Sequence, residues 1–166
     1  MTHSSHYYDP TQMQLMDEQI ILVDQSDNPI GQASKYEAHR NSNITNGMLH
    51  RAFSLFLFAP TNDSKFKLLL QERSFQKITF PGMLTNTCCS HPWNTEQESN
   101  GILGCKHAAV RKVKHELGIT SLSPLDLTFF GRIQYSAQSC SEWGENEIDY
   151  LLVGKFNPKN QSIEPN

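Results

Sequence analysis

Gly104-Cys105-Lys106-His107-Ala108-Ala109-Val110-Arg111-Lys112-Val113-Lys114-His115-Glu116-Leu117-Gly118-Ile119 is the stretch on which the fold turns. With Leu103 just ahead of it, Val110, Val113 and Leu117 recur at spacings of seven, three and four, the period of an amphipathic helix. Gly118 supplies the stop, because glycine enters the left-handed conformation that ends a helix at no steric cost. The remaining face is basic, and a basic face closed by a glutamate is ordinarily a solvated one. No other stretch carries so clear a helical period, so whatever surrounds this helix has to be built largely from strands.

Strand signals lie on both sides. Ile20-Ile21-Leu22-Val23 is β-rich, Asp24 to Pro29 is turn chemistry, and Ile30 to Ser34 can return, which predicts an N-terminal hairpin. Lys35 to Gly47 is polar and carries His39. After His50 comes the apolar run Ala52-Phe53-Ser54-Leu55-Phe56-Leu57-Phe58, a buried strand broken at Pro60 to Ser64. Phe66 to Gln71 then predicts a second hairpin over residues 51–73, with Arg73 and Lys77 just past its end. Phe80-Pro81-Gly82 is a turn. Beyond the helix, Leu125 to Tyr135 and Ile148 to Phe156 read as strands. The fold class expected is α+β.

At 166 residues, 37% hydrophobic, the chain has apolar surface for one core, expected over residues 19–166. Residues 1–18, polar and rich in His, Ser and Gln, are expected as a flexible arm without the apolar run of a signal peptide. A net charge of −3 gives no global basic field, so nucleic acid is not expected as a partner. No run approaches the roughly 20 apolar residues that span a bilayer. Cys88, Cys89, Cys105 and Cys140 are too few and too irregular for a disulfide scaffold, which fits a reducing compartment, expected as cytoplasmic with peroxisomal as the alternative. A monomer is expected.

Two short segments carry chemistry. In Thr85-Asn86-Thr87-Cys88-Cys89-Ser90-His91-Pro92, Cys89 and His91 project from the same side if the chain is extended. In Trp143-Gly144-Glu145-Asn146-Glu147-Ile148-Asp149-Tyr150, Glu145 and Glu147 share one face of a strand while Ile148, Tyr150 and Leu152 turn to a core. Taken singly, a cysteine is usually a small buried hydrophobe and an E-x-E pair a solvated strand edge.

The end of the helix is similar to the signature of the Nudix superfamily, R-E-apolar-x-E-E-x-G-apolar: Arg111, Val113, Glu116, Gly118 and Ile119 match, while Lys112 and His115 stand where glutamates belong. With the two segments above, and with His50-Arg51-Ala52-Phe53-Ser54 and Lys77-Ile78-Thr79-Phe80-Pro81-Gly82, the chain resembles the type 1 isopentenyl diphosphate isomerases from about Ile20 to its end. These are Nudix-fold enzymes that depart from the hydrolase signature in the same way.

The resemblance implies a Nudix-type mixed β-sheet core flanked by helices. It implies that His39, His50, His91, Glu145 and Glu147 hold a divalent metal, a donor set suited to Zn²⁺ or Mn²⁺. Glu116 would share Mg²⁺ with a substrate diphosphate, contacted by Lys35, Arg73, Lys77, Ser90 and Arg111 or Lys112. The implied reaction moves the double bond of isopentenyl diphosphate to give dimethylallyl diphosphate, with Cys89 and Glu147 as acid and base and Tyr135 beside the carboxylate. Cys88 is read as a neighbour without a chemical role.

Members of that family continue past Asn166 through another strand and a helix that bring a cation-facing tryptophan. The chain is therefore expected to lack the C-terminal part of the fold. Three readings stay open: an isomerase, a Nudix hydrolase of another diphosphate, which Lys112 and His115 disfavour, and a weakly active or non-catalytic form that keeps the metal and diphosphate sites.

Overall fold

The architecture is that of a computed structural model describing residues 8–157 and 162–165. Its central strand is β3 (His50–Pro60), the apolar run expected as a buried strand. Phe53, Leu55 and Leu57 are fully buried on one face, and His50 and Ala52 are buried on the other. Being covered on both faces requires a near-continuous apolar run, which is what the sequence supplies. β3 pairs in parallel with β9 (Gly144–Lys155) from His50 opposite Glu147 to Phe58 opposite Lys155. β9 pairs antiparallel with β8 (Thr128–Gln138).

On the other side β3 meets β1 (Gln19–Val23), which forms the expected antiparallel hairpin with β2 (Pro29–Ser34). The sheet order is β2-β1-β3-β9-β8, with β4 (Phe66–Leu68) and β7 (Cys88–Ser90) also paired to β3. It is a mixed sheet, and the fold is α+β. The hairpin turn is tied back by buried Asp27, which receives Arg51 of β3 at 2.8 Å and Arg132 of β8 at 2.6 Å.

The helix marked by periodicity is α4 (Gly101–Leu117), ended by Gly118 at φ +67°. It packs on the face carrying Phe53, Leu55 and Leu57 of β3 and Ile148, Tyr150 and Leu152 of β9. Burial of each large apolar side chain there contributes about 1.5–3 kcal/mol. The buried stripe differs from the expected one, since Leu103 is 47% exposed and the contact begins with Gly104, Cys105, Ala108 and Ala109. Gly104 is required by the loop that leads into the helix, since a Cβ there would lie 2.1 Å from the Glu98 carbonyl oxygen.

Other expectations change in detail. Within the stretch expected as an arm, Pro10–Met16 form α1, capped by the Asp9 side chain on the Gln12 amide, with Met16 buried. Docking follows from Met16 packing with Trp143 and from Trp143 Nε1 donating to the Tyr8 hydroxyl at 2.9 Å. Residues 1–7 of that arm lie outside the described residues. The polar stretch after β2 forms α2 (Lys35–Ala38), with a Ser34–Glu37 capping box, and α3 (Asn41–Thr45). Both are too short for a helical period to show.

The second strand of the expected hairpin stops at Leu68, and β5 (Gln71–Glu72) leaves to pair with β6 (Leu84–Thr85) in a separate ribbon. Leu125 lies in a 3₁₀ turn before β8. No helix among the described residues is long and apolar enough to cross a membrane.

Candidate active site

Three imidazoles converge on one carboxylate. His39 sits at the C-cap of α2, His50 opens β3, His91 follows β7, and Glu147 stands opposite His50 in the β3–β9 register. Their metal-capable atoms lie within 4.8 Å of one another, and all four residues are buried. The Nε2 atoms of His91, His50 and His39 stand 2.9, 3.1 and 4.0 Å from Glu147 Oε1.

His39 Nδ1 donates to the Lys35 carbonyl at 2.8 Å, which leaves the Nε2 lone pair facing the cluster. That atom is buried and has no hydrogen-bond partner among the described residues. An orphaned buried lone pair beside two further imidazoles and a carboxylate fits a divalent cation of the borderline class.

The protonation states agree with that fit. Burial, then the neighbouring rings, holds His39 well below the usual histidine range, and burial brings His91 down to about 3 against the opposing pull of Glu147. Neutral imidazole is the form that binds metal. Burial alone would raise Glu147, but the hydrogen bonds from His50 and His91 outweigh it and hold the carboxyl well below its ordinary range. Glu145 goes the other way, raised by burial and then by the charge of Glu147. The Tyr135 hydroxyl lies 2.8 Å from Glu147 and 3.0 Å from Glu145, and its own pKa is raised by burial and by both carboxylates.

Cys89 lines the same cavity as His91, Glu145, Glu147 and Tyr135, as the shared-face argument requires. Burial pushes its thiol up to about 11, offset in part by Arg73, whose Nη1 is 3.5 Å from Sγ. A thiol so placed keeps its proton at neutral pH. Cys88 points into the core, yet its Sγ reaches Glu116 at 3.5 Å.

The other end of the cavity is cationic. Lys35, Arg73, Lys77, Lys112 and Glu116 line it, and Ser90 also lines the cavity. Lys77 and Lys112 each stand 3.4 Å from the same Glu116 oxygen. Burial would raise Glu116, but Lys112 and Lys77 prevail and hold it at about 2. Arg73 is fixed by donating to the carbonyls of Thr79 at 2.8 Å and Phe80 at 3.0 Å.

No family model matches the chain. Among curated proteins it is 51% identical to the bovine (Bos taurus) isopentenyl-diphosphate Delta-isomerase 1, over 95% of this chain and 68% of that protein. It is 48% identical to the protein of the same name from Mesocricetus auratus, over 98% of this chain and 70% of that one. The chain belongs to the isopentenyl-diphosphate delta-isomerase family. The Schizosaccharomyces pombe isopentenyl-diphosphate delta-isomerase is also 48% identical, over 89% of this chain and 66% of that one. Among solved structures, a Nudix hydrolase from M. smegmatis, RenU, aligns with a TM-score of 0.41 at 13% identity, covering 87% of this chain and 73% of that one, a similarity too loose to carry weight.

Within this isomerase-family chain, two expected residues fall away from their assigned places. Glu145 lines the cavity and shares the Tyr135 hydroxyl with Glu147, but is not one of the four residues whose metal-capable atoms converge. Arg111 does not line the cavity; it is bound to Glu98, and Lys112 takes the cavity position instead. The sequence reading missed Gln12, Leu15 and Met16 of α1, which line the cavity, and Gln71, which donates to Glu116 at 3.3 Å. Asp9-Pro10, a cap residue followed by a first-turn proline, was the available signal for α1.

Proposed function

We propose that this chain converts isopentenyl diphosphate to dimethylallyl diphosphate. One observation carries the reading. In a chain half identical to proteins named for that isomerisation, a single cavity is lined by a protonated thiol, an ionised carboxylate and a cluster of cations. Cys89 Sγ–H gives its proton to C4, leaving a thiolate and a tertiary cation at C3. The C2–H bond then breaks, its electrons form the new C2=C3 bond, and the proton passes to Glu147, hydrogen-bonded to Tyr135. The thiolate regains a proton from solvent and Glu147 gives one up to solvent, which restores the starting state and leaves a moved double bond as the net change.

Lys35, Arg73, Lys77 and Lys112 bind the diphosphate, which gives Lys77 and Lys112 an anionic partner besides Glu116. Arg73 suits a planar, two-point contact to phosphate oxygens, and Ser90 lies where it can donate. His39, His50, His91 and Glu147 would hold Zn²⁺ or Mn²⁺ with Glu145 nearby, and Glu116 would share Mg²⁺ with the diphosphate. Such ions supply fixed positive charge that keeps Glu147 ionised and neutralises phosphate. Lys112 presents a cation where the hydrolase signature has a carboxylate, which weighs against the hydrolase reading.

The test runs isopentenyl diphosphate in heavy water with the metals added, following deuterium incorporation by mass spectrometry and phosphate release in parallel. Deuterated dimethylallyl diphosphate without phosphate release is the expected result. Phosphate release without isomerisation, or neither reaction, would overturn the reading.

A further inference from the structure

Of the four converging residues, His91 has the weakest support from the sheet. His50, at the start of the long strand β3, is paired on both sides, with Leu22 and in parallel with Glu147 inside β9, and His39 is tied by its ring to the Lys35 carbonyl. His91 comes one residue after the three-residue β7, and the next residue, Pro92, has no amide hydrogen for a ladder bond. Its ring Nδ1 is buried without a partner among the described residues, so no hydrogen bond from the far side of the ring orients it.

The backbone around it is held by a residue from a different element. Arg111, on α4, donates from Nη2 to the His91 carbonyl at 3.1 Å. The same guanidinium is gripped by Glu98 through Nε at 2.6 Å and Nη2 at 2.8 Å, and lies 3.6 Å over the Trp93 ring. Glu98 closes the loop by accepting the Trp93 amide at 2.8 Å. Both ends of the His91-Pro92-Trp93 segment are thus fastened to one fork-shaped cation. Lysine could not reproduce this, because it lacks the planar fork and the flat face.

We propose that Arg111 is a positioning residue for His91: the Arg111–Glu98–Trp93 clamp sets the place of that ligand and so the affinity of the imidazole cluster for a divalent metal. The proposal rests on reading His39, His50, His91 and Glu147 as a metal site. It gives Arg111 a task separate from its neighbour Lys112, which faces the diphosphate end.

The test titrates metal-free protein with Co²⁺ and with Zn²⁺ against a chromogenic chelator, recording the visible Co²⁺ spectrum as a readout of ligand geometry. Arg111→Met is expected to weaken both metals about tenfold and to shift the Co²⁺ bands, with Arg111→Lys little better, and Glu98→Gln is expected to move in the same direction. Inorganic diphosphate affinity, measured without metal, should stay within about twofold, because the cationic end does not depend on the clamp. If metal and diphosphate affinity fall together, the clamp only stabilises the fold and the proposal fails. Unchanged metal affinity and Co²⁺ spectrum in Arg111→Met and Glu98→Gln would overturn it while leaving the metal site standing. Should Arg111→Met not fold, Glu98→Gln, which keeps the side-chain shape, decides alone. Wild-type protein that takes up no metal would sink the metal-site reading and this proposal with it.

Discussion

The two ends of the cavity are built on different principles. At the imidazole end, His50 and Glu147 sit opposite one another in the unbroken parallel register of β3 and β9, and every member is buried. At the cationic end, Arg73 and Lys77 come from the segment joining two-residue strands, and Lys112 and Glu116 from the end of a helix. The Lys77 side chain there remains 25% exposed. Metal coordination demands ligand positions fixed to a fraction of an ångström, which central strands provide. Holding a diphosphate demands charge, which sums over several flexible side chains and tolerates small errors in place. The imidazole end should therefore fail abruptly when one group is removed, and the cationic end by degrees.

The largest effect is expected at the residue between the two ends. Cys89→Ala should lower turnover by about a thousandfold, the scale of a lost general acid, while leaving inorganic diphosphate binding unchanged. Cys88→Ala, which removes only a 3.5 Å contact to Glu116 and a small buried side chain, should cost less than about tenfold. Initial rates and calorimetric diphosphate titrations on the two variants check this. Equal losses would show that the adjacent cysteines are not divided between the two faces of β7.

The division of faces was legible in the sequence because period-two alternation is strict: Cys89 with His91, and Glu145 with Glu147, follow from parity alone. Parity also limited what could be read. It placed Glu145 and Glu147 alike, whereas the structure brings only Glu147 into the cluster, because the register with His50 selects it. Arg111 and Lys112 are adjacent on a helix and point in directions about 100° apart, so without α4's orientation on the sheet neither could be preferred. The buried position of Lys112 ran against the solvated-face expectation, since a long aliphatic stem can lie in a core face while the ammonium emerges in the cavity. α1 was hidden because seven residues give barely two turns.

A direct contrast comes from removing one group at each end. His50→Ala should weaken metal binding by at least about a hundredfold, since it deletes a ligand from a buried site that cannot rearrange. Lys77→Met should weaken inorganic diphosphate about tenfold and reduce the salt dependence of its binding, leaving metal content as in wild type. Metal analysis after dialysis and calorimetry at two ionic strengths read these out. A hundredfold loss at Lys77, or a tolerant His50→Ala, would reverse the contrast.

The smallest expected effect is a pH dependence confined to the cationic end. Lys35 opens α2 and its amine lines the cavity, where burial, then the charge of Lys112, brings its pKa down to about 8. Lys77 adds to that repulsion, while Glu18 and Glu116 oppose it. A lysine whose free-protein pKa is depressed carries its charge below that value and loses it above, so its attraction for diphosphate is present at neutral pH and fades as pH rises past about 8. An unperturbed lysine would hold its charge to about 10.4. Bound diphosphate favours the charged form and raises the amine again, so affinity should fall by no more than one proton's worth per pH unit, reaching about threefold by pH 9. The ligand titrates in the same range, so the measurement compares variants: Lys35→Met, weaker throughout, should show a shallower alkaline decline than wild type. Lys35→Arg keeps its charge and should show the same shallow slope at higher affinity. If all three curves run parallel from pH 7 to 9, Lys35 is not losing charge in that window, and the cationic end is as fixed in its charge as the imidazole end is in its geometry.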